Sequence, residues 1–326
     1  MNRKTARILL LTLLAGFMAS AQDPHFSQFY ANRLYLNPAF AGVDKCPKLT
    51  LNYRNQYPTL GVYETFSASY DQYVSALHGG LGVLVMRDEA ANGALNLTEA
   101  SLIYSYHLNI SRKFTLLTGF QATFRQRGLD FNALTFPDQI DPFYGFVRPT
   151  NEIPPDQPTN QHVDISVGLL GYGENYYFGV SGHHLTEPNE AFFTESKLPF
   201  KLTVHGGASI PVGRKRLANS TQSYLIPNVV YQRQGNVGQL TLGLSFNRGF
   251  ITGGLAYRNS ETNPDAIVAI VGITPPNWPF KFGYSYDFTI SNFGGGGNGA
   301  HEISLSYRFK CITRTRRAQE LKCPTF

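Results

Sequence analysis

Charge is scarce in this chain. Only 15% of its 326 residues are Asp, Glu, Lys or Arg, against about 25% in an ordinary soluble domain. Long apolar runs are missing too: beyond residue 21 none reaches the roughly 18 residues a membrane-spanning helix needs, which excludes a helical membrane protein. Cysteine is limited to three residues, with no paired Cys or His spacing of the kind that holds zinc, so no metal is expected. G-x-S-x-G and H-E-x-x-H are absent, and the Gly294–Gly297 run with Asn298 lacks the Gly-Lys-Ser/Thr ending of a phosphate loop. No catalytic residues, no cofactor and no enzymatic activity are therefore expected. What is abundant is glycine and aromatic: 31 Gly, 24 Phe and 19 Tyr beside one Trp. That composition favours strands over a helical bundle, and its burial capacity argues against disorder.

Residues 1–21 read as a secretory signal peptide. Arg3, Lys4 and Arg7 form a basic head, Ile8 to Met18 an apolar stretch, and Ala19-Ser20-Ala21 a small-residue cleavage site. Cleavage before Gln22 reduces the net charge of +6 to +3, all of it in the last 16 residues, where Arg314, Arg316, Arg317 and Lys322 face Glu320. The body from Gln22 to Lys310 is neutral, so the basic balance marks a terminal segment and not a nucleic-acid-binding face.

From Lys48 onward the sequence alternates with period two. His301, Ile303, Leu305, Tyr307 and Phe309 fall on one face, and Glu302, Ser304, Ser306, Arg308 and Lys310 on the other. Phe280 to Ile290, Gln239 to Asn247 and Lys113 to Arg125 repeat the pattern. The strands are long for soluble sheets, and aromatics crowd their ends on the apolar face, as an interfacial girdle would. Fourteen strands are expected, near 48–55, 64–74, 79–88, 96–108, 113–126, 162–172, 175–184, 200–211, 222–234, 238–247, 250–258, 265–274, 280–290 and 300–310. In lipid every backbone polar group must be paired, which requires a closed sheet. The reading is an all-β, transmembrane antiparallel β-barrel over residues 48–310 in the outer membrane, apolar face to the bilayer. Its lumen is wider than its own side chains fill. The connection from Val212 to Thr221, with Arg214, Lys215 and Arg216, is long for a periplasmic turn, so the strand count is least secure there. The 32-residue connection from Leu129 to Asn160 carries five acids, one Arg (Arg148) and six prolines; without periodicity of its own, it has a task or is mobile. His183 and His184 are expected on opposite faces, and His205 and Asp287 in the lumen.

Residues 22–47 do not alternate. Asp23 reads as an N-cap with Pro24 at the first helical position; Phe26, Phe29, Tyr30, Arg33 and Leu34 follow at helical spacing until Pro38 ends the run. One short amphipathic helix is expected, at the periplasmic mouth or as a plug in the lumen. Cys46 precedes the first strand, Cys311 follows the last, and Cys323 lies in the 311–326 tail. One disulfide and one spare thiol are expected, with Cys46–Cys311 and Cys46–Cys323 both open.

The opening QDPHFSQFYANRLYLNPAFAG, followed by NYRNQYP and closed by KCPTF, resembles the PorP/SprF family of outer-membrane proteins associated with the type IX secretion system of the Bacteroidota. GLGVLVMRDEA, FRQRGLDF, LPFKLTVHGG and Arg316-Arg317-Ala318 also look like family segments. The resemblance implies a non-enzymatic barrel serving secretion, surface attachment or gliding motility. It would export or display adhesin-like substrates and meet periplasmic ring proteins and a peptidoglycan-binding partner. His25, Phe26, Phe29, Tyr30, Arg33, Arg314, Arg316 and Arg317 are the residues expected to form its periplasmic docking surface. The competing expectation is an outer-membrane channel for small or hydrophobic solutes.

Overall fold

A single antiparallel sheet closes on itself. The computed structural model describes residues 23–311, apart from 59–62, 142, 193–194, 214–221, 262–263, 277 and 291–298. Its barrel strands are β1 (Lys48–Gln56), β2 (Tyr63–Val74), β3 (Gly79–Ala90), β4 (Leu95–Asn109), β5 (Thr115–Leu129), β6 (Thr159–Tyr172) and β7 (Tyr176–His183). They continue with β8 (Lys201–Ala208), β9 (Ser223–Gln234), β10 (Val237–Arg248), β11 (Ile251–Ser260), β12 (Pro264–Ile273), β13 (Phe280–Thr289) and β14 (Ala300–Arg308). Each strand pairs with its neighbour in sequence, and β1 pairs with β14 over its full length, Lys48 opposite Arg308 and Gln56 opposite Ala300. The fourteen expected strands are all present, with ends that move by a few residues. Near residues 212–222, where the count was least secure, β8 breaks at Ser209 and resumes as Ile210–Val212 against the same partner, β9. The leader, the Gly294–Asn298 tip, the Arg214–Arg216 stretch and the tail with Arg314, Arg316, Arg317 and Cys323 lie outside the described residues.

The radial order is the reverse of a soluble protein's. Leu242, Leu244, Phe246, Phe282, Ile303 and Leu305 point outward and stay exposed, while Thr241, Ser245, Ser285, Glu302 and Ser304 are buried inside. Closure leaves no strand edge to be satisfied, so an apolar outer band can meet hydrocarbon. The chain enters and leaves the barrel at one end. Connections 75–78, 110–114, 173–175 and 249–250 are short there, while 130–158 and 184–200 lie at the opposite end. By the usual asymmetry the first end is periplasmic. The 130–158 connection is less featureless than its sequence suggests. It folds two single turns, Phe131–Ala133 and Pro137–Gln139, and a hairpin pairing Ile140 with Phe146, in which Arg148 bonds Asp141 at 2.6 Å.

Candidate functional site

The lumen is occupied by the chain's own N-terminal segment. Residues 24–32 are irregular turns, and helix is confined to Arg33–Leu36, followed by a single turn at Pro38–Phe40. The longer helix capped by Asp23 does not form, and the reason is tertiary. The Ser27 and Gln28 amides, which a helix would bond to its own carbonyls, donate instead to the Glu302 carboxylate at 2.7 and 3.0 Å. The Asp23 carboxylate is taken by the wall, and the Tyr35 hydroxyl donates back to Pro24 O at 2.6 Å.

The NPAFAG run lies flush against bare backbone. A Cβ on Gly119 would stand 2.2 Å from Ala39 N, and one on Gly80 2.0 Å from Ala41 O; only glycine lets main chain approach main chain so closely. Gly42, with φ +71°, turns the chain away and donates its amide to Asp71 Oδ2 at 2.9 Å. Asn37 fixes the register: its side-chain oxygen accepts from Ala39 N, and its amide nitrogen lies 3.1 Å from Leu169 O and 3.0 Å from His205 Nε2. Phe40 stacks on His205 and meets Tyr177 edge-on. Here the wall turns apolar, with Leu84, Ile103, Leu117 and Leu170 buried against Leu34, Leu36 and Val43.

Opposite, the contact is ionic. Asp287 accepts from Ser27 Oγ at 2.7 Å, from Arg54 Nη2 at 2.9 Å and from Arg258 Nη1 at 2.9 Å. Arg54 also reaches Ser27 Oγ and Glu302, and Arg258 pairs with Asp265. A second cluster surrounds Asp23, whose carboxylate lies 2.6 Å from His184 Nε2, 3.2 Å from Lys201 Nζ and 3.6 Å from Arg125. Burial pushes Asp23 up, but His184, Lys201 and Arg125 more than reverse it and hold the carboxyl well below its usual range. Burial likewise pushes His184 down. Asp23 on one ring nitrogen and Asp164 on the other, at 2.7 Å, raise it to about 9, so at neutral pH it is an imidazolium between two carboxylates. Two cavities flanking the segment hold only about 40 and 20 Å³.

Phe26, Phe29 and Tyr30 are buried in the lumen, 3, 5 and 6% exposed. His25 lies inside with them, Nδ1 3.1 Å from Gln232, and Arg33 pairs with Asp44 at 3.2 Å near the periplasmic mouth. His25, Phe26, Phe29 and Tyr30 thus lie inside the barrel, while Arg33 pairs within the segment itself. Cys46 is joined to Cys311 across 265 residues, tying the segment's exit to the end of β14. His183 and His184 do not take opposite faces. Strand geometry ends between them, His184 having φ +60°, and both rings turn inward. His205 and Asp287 face the lumen, each against the N-terminal segment. Sequence reading missed Arg54, Arg258, Glu302 and Asn37 as anchors. For Arg54, Arg258 and Glu302 the signal was a charge at a lumen position in strands otherwise lined by Ser, Thr and Asn; Asn37, uncharged and outside the strands, gave none. No three His, Cys, Asp or Glu side chains gather as a metal site among the described residues.

Solved structures similar to this chain are outer-membrane barrels. They include the toluene transporter TodX of P. putida (11% identity, 84% of this chain and 92% of that one, TM-score 0.45) and a Pseudomonas aeruginosa FadL homologue (12%, 86% and 94%, 0.44). BamA from Haemophilus ducreyi, lacking POTRA domains 1–3, is similar over 81% of this chain and 70% of that one (10%, 0.40). No curated protein matches. Residues 18–307 match the family described as type IX secretion system membrane protein PorP/SprF, and the chain belongs to that family.

Proposed function

We propose that this barrel is a self-plugged scaffold of the type IX secretion machinery. It supports the secretion or surface attachment of adhesin-like substrates and docks periplasmic components. The observation that carries the reading is the N-terminal segment laid along the lumen and anchored on both walls, which suits a mount better than a conduit. Because that segment faces inward, periplasmic docking falls to the Cys46–Cys311 junction at the mouth and to the basic stretch that follows it in sequence, with Arg314, Arg316 and Arg317. On the outer side, Phe143, Tyr144 and Ile153 are 91, 79 and 80% exposed on the 130–158 connection, where a secreted client would meet the barrel.

Planar-bilayer recording of the purified protein tests the first half of this reading. The intact protein should pass no large ion current. Gly119→Val, whose side chain collides with the Ala39 backbone, should open a conducting lumen. Large steady conductance of the intact protein would favour the solute-channel reading instead. Co-purification tests the second half: charge reversal at Arg314, Arg316 and Arg317 should weaken capture of the periplasmic components in a salt-dependent way. Unchanged capture would retire the tail as the docking site.

A further inference from the structure

At the periplasmic mouth the charges do not balance. A cavity of about 40 Å³ is lined by Arg33, Lys48, Lys281 and Arg308, with Asp44 the sole acid among its lining residues. Asp44 is already engaged twice, by Lys48 Nζ at 2.8 Å and by Arg33 Nη1 at 3.2 Å. Burial pushes this carboxyl up, but Lys48 and Arg33 hold it well below its usual range, so it stays ionised and used. Asp71, 4.0 Å from Lys48, accepts from the Gly42 amide. Neither Lys281 nor Arg308 has a side-chain ion pair or hydrogen bond to any described residue. Register makes the crowding unavoidable: Lys48 stands directly opposite Arg308, and Lys281 opposite Ser306 on the next strand. Like charges placed opposite one another are destabilising in a sheet. Elsewhere in this lumen the buried arginines are matched, Arg54 and Arg258 by Asp287, Glu302 and Asp265.

We propose that the cavity between Lys281, Arg308 and Lys48 is a binding site for a phosphate group. At neutral pH inorganic phosphate carries about one to two negative charges and a phosphodiester headgroup carries one, so either supplies counter-charge that Lys281 and Arg308 lack. The group also offers several acceptor oxygens to an ammonium and a guanidinium approaching from adjacent strands. The opening faces the periplasm, so the group arrives either as the free ion or as the headgroup of an inner-leaflet phospholipid. The site stands apart from the secretion reading and does not depend on it.

The test is equilibrium binding to the full-length protein in a non-ionic detergent at low salt, using inorganic phosphate in one arm and glycerophosphoethanolamine in the other. Saturable binding in the first arm alone assigns the free ion; binding in the second assigns the headgroup. Lys281→Gln with Arg308→Gln should weaken whichever is bound by about tenfold or more, through the loss of two charge-assisted contacts. Lys281→Arg with Arg308→Lys should keep most of it, and Arg87→Gln, remote from the mouth, should change nothing. Retained heat-modifiability on gels shows that each variant still forms the barrel. No saturable binding in either arm below about 10 mM, or equal binding by wild type and the doubly neutralised variant, overturns the proposal.

Discussion

The two anchorages of the N-terminal segment hold it by opposite means. Residues 23–28 are gripped by charge: Asp23 by His184, Lys201 and Arg125, and Ser27 and Gln28 by Glu302, Asp287 and two arginines. Residues 37–42 are held by close fit, their backbone resting on Gly80 and Gly119, which lack side chains, while the Asn37 amide and the Phe40 ring set the register. The first depends on every partner being present, because a buried ion left alone is expensive. The second depends on nothing intruding, because packed main chain has no room to adjust. One segment therefore carries two kinds of fragility.

Mutations can separate them. The largest effect is expected from Arg54→Met, which leaves Asp287 and Glu302 undercompensated and should cost about 3–5 kcal/mol. The readout is the unfolding midpoint in detergent, and an unchanged midpoint would mean the ionic wall carries no net stability. Leu305→Arg, on the outer face, should cost about 2–4 kcal/mol if it sits near the bilayer midplane. In refolding into lipid vesicles it should spare protection of the N-terminal segment, whereas a negligible cost would reverse the assignment of faces. Asn37→Ala strips the register bonds at the glycine wall and should cost about 1–3 kcal/mol. Hydrogen exchange of residues 37–42 should then rise while residues 23–28 stay protected; equal loosening of both would show a single anchorage.

The smallest effect is expected from pH, and it should touch only the charged end. His184 has a raised pKa, so its contribution is complete below about 6.5 and is lost as pH rises through about 9. Asp23 has a lowered one, so its contribution is present above the ordinary carboxylate range and fades only in acid. Tryptic cleavage after Arg33, normalised to cleavage in the exposed Arg112–Lys113 turn, should therefore rise between pH 8 and 10. A flat ratio would mean the imidazolium does not hold the segment.

The comparison also shows which parts of the molecule were legible in advance. The barrel was, because period-two alternation is a local property and one face of every strand must meet one solvent. Glu302 and Asp287 could be placed in the lumen by counting from Ile303 and Phe288. The N-terminal segment was not: Pro24, Phe29, Tyr30 and Leu34 spell a helix at the level of spacing, yet Glu302 competes for the same amides and wins. His184 was misplaced for a related reason, since alternation predicts a face only while the strand lasts.

Alone, the sequence determined a closed membrane cylinder and its strand count, since lipid forbids any unpaired edge and alternation records which side each residue takes. Only the tertiary structure decided that the cylinder is filled by its own leading segment, and where the charges at its mouth fail to cancel. Both depend on partners that lie tens to hundreds of residues apart in the chain, from Gly42 with Asp71 to Ser27 with Glu302, and no local pattern encodes contacts of that range.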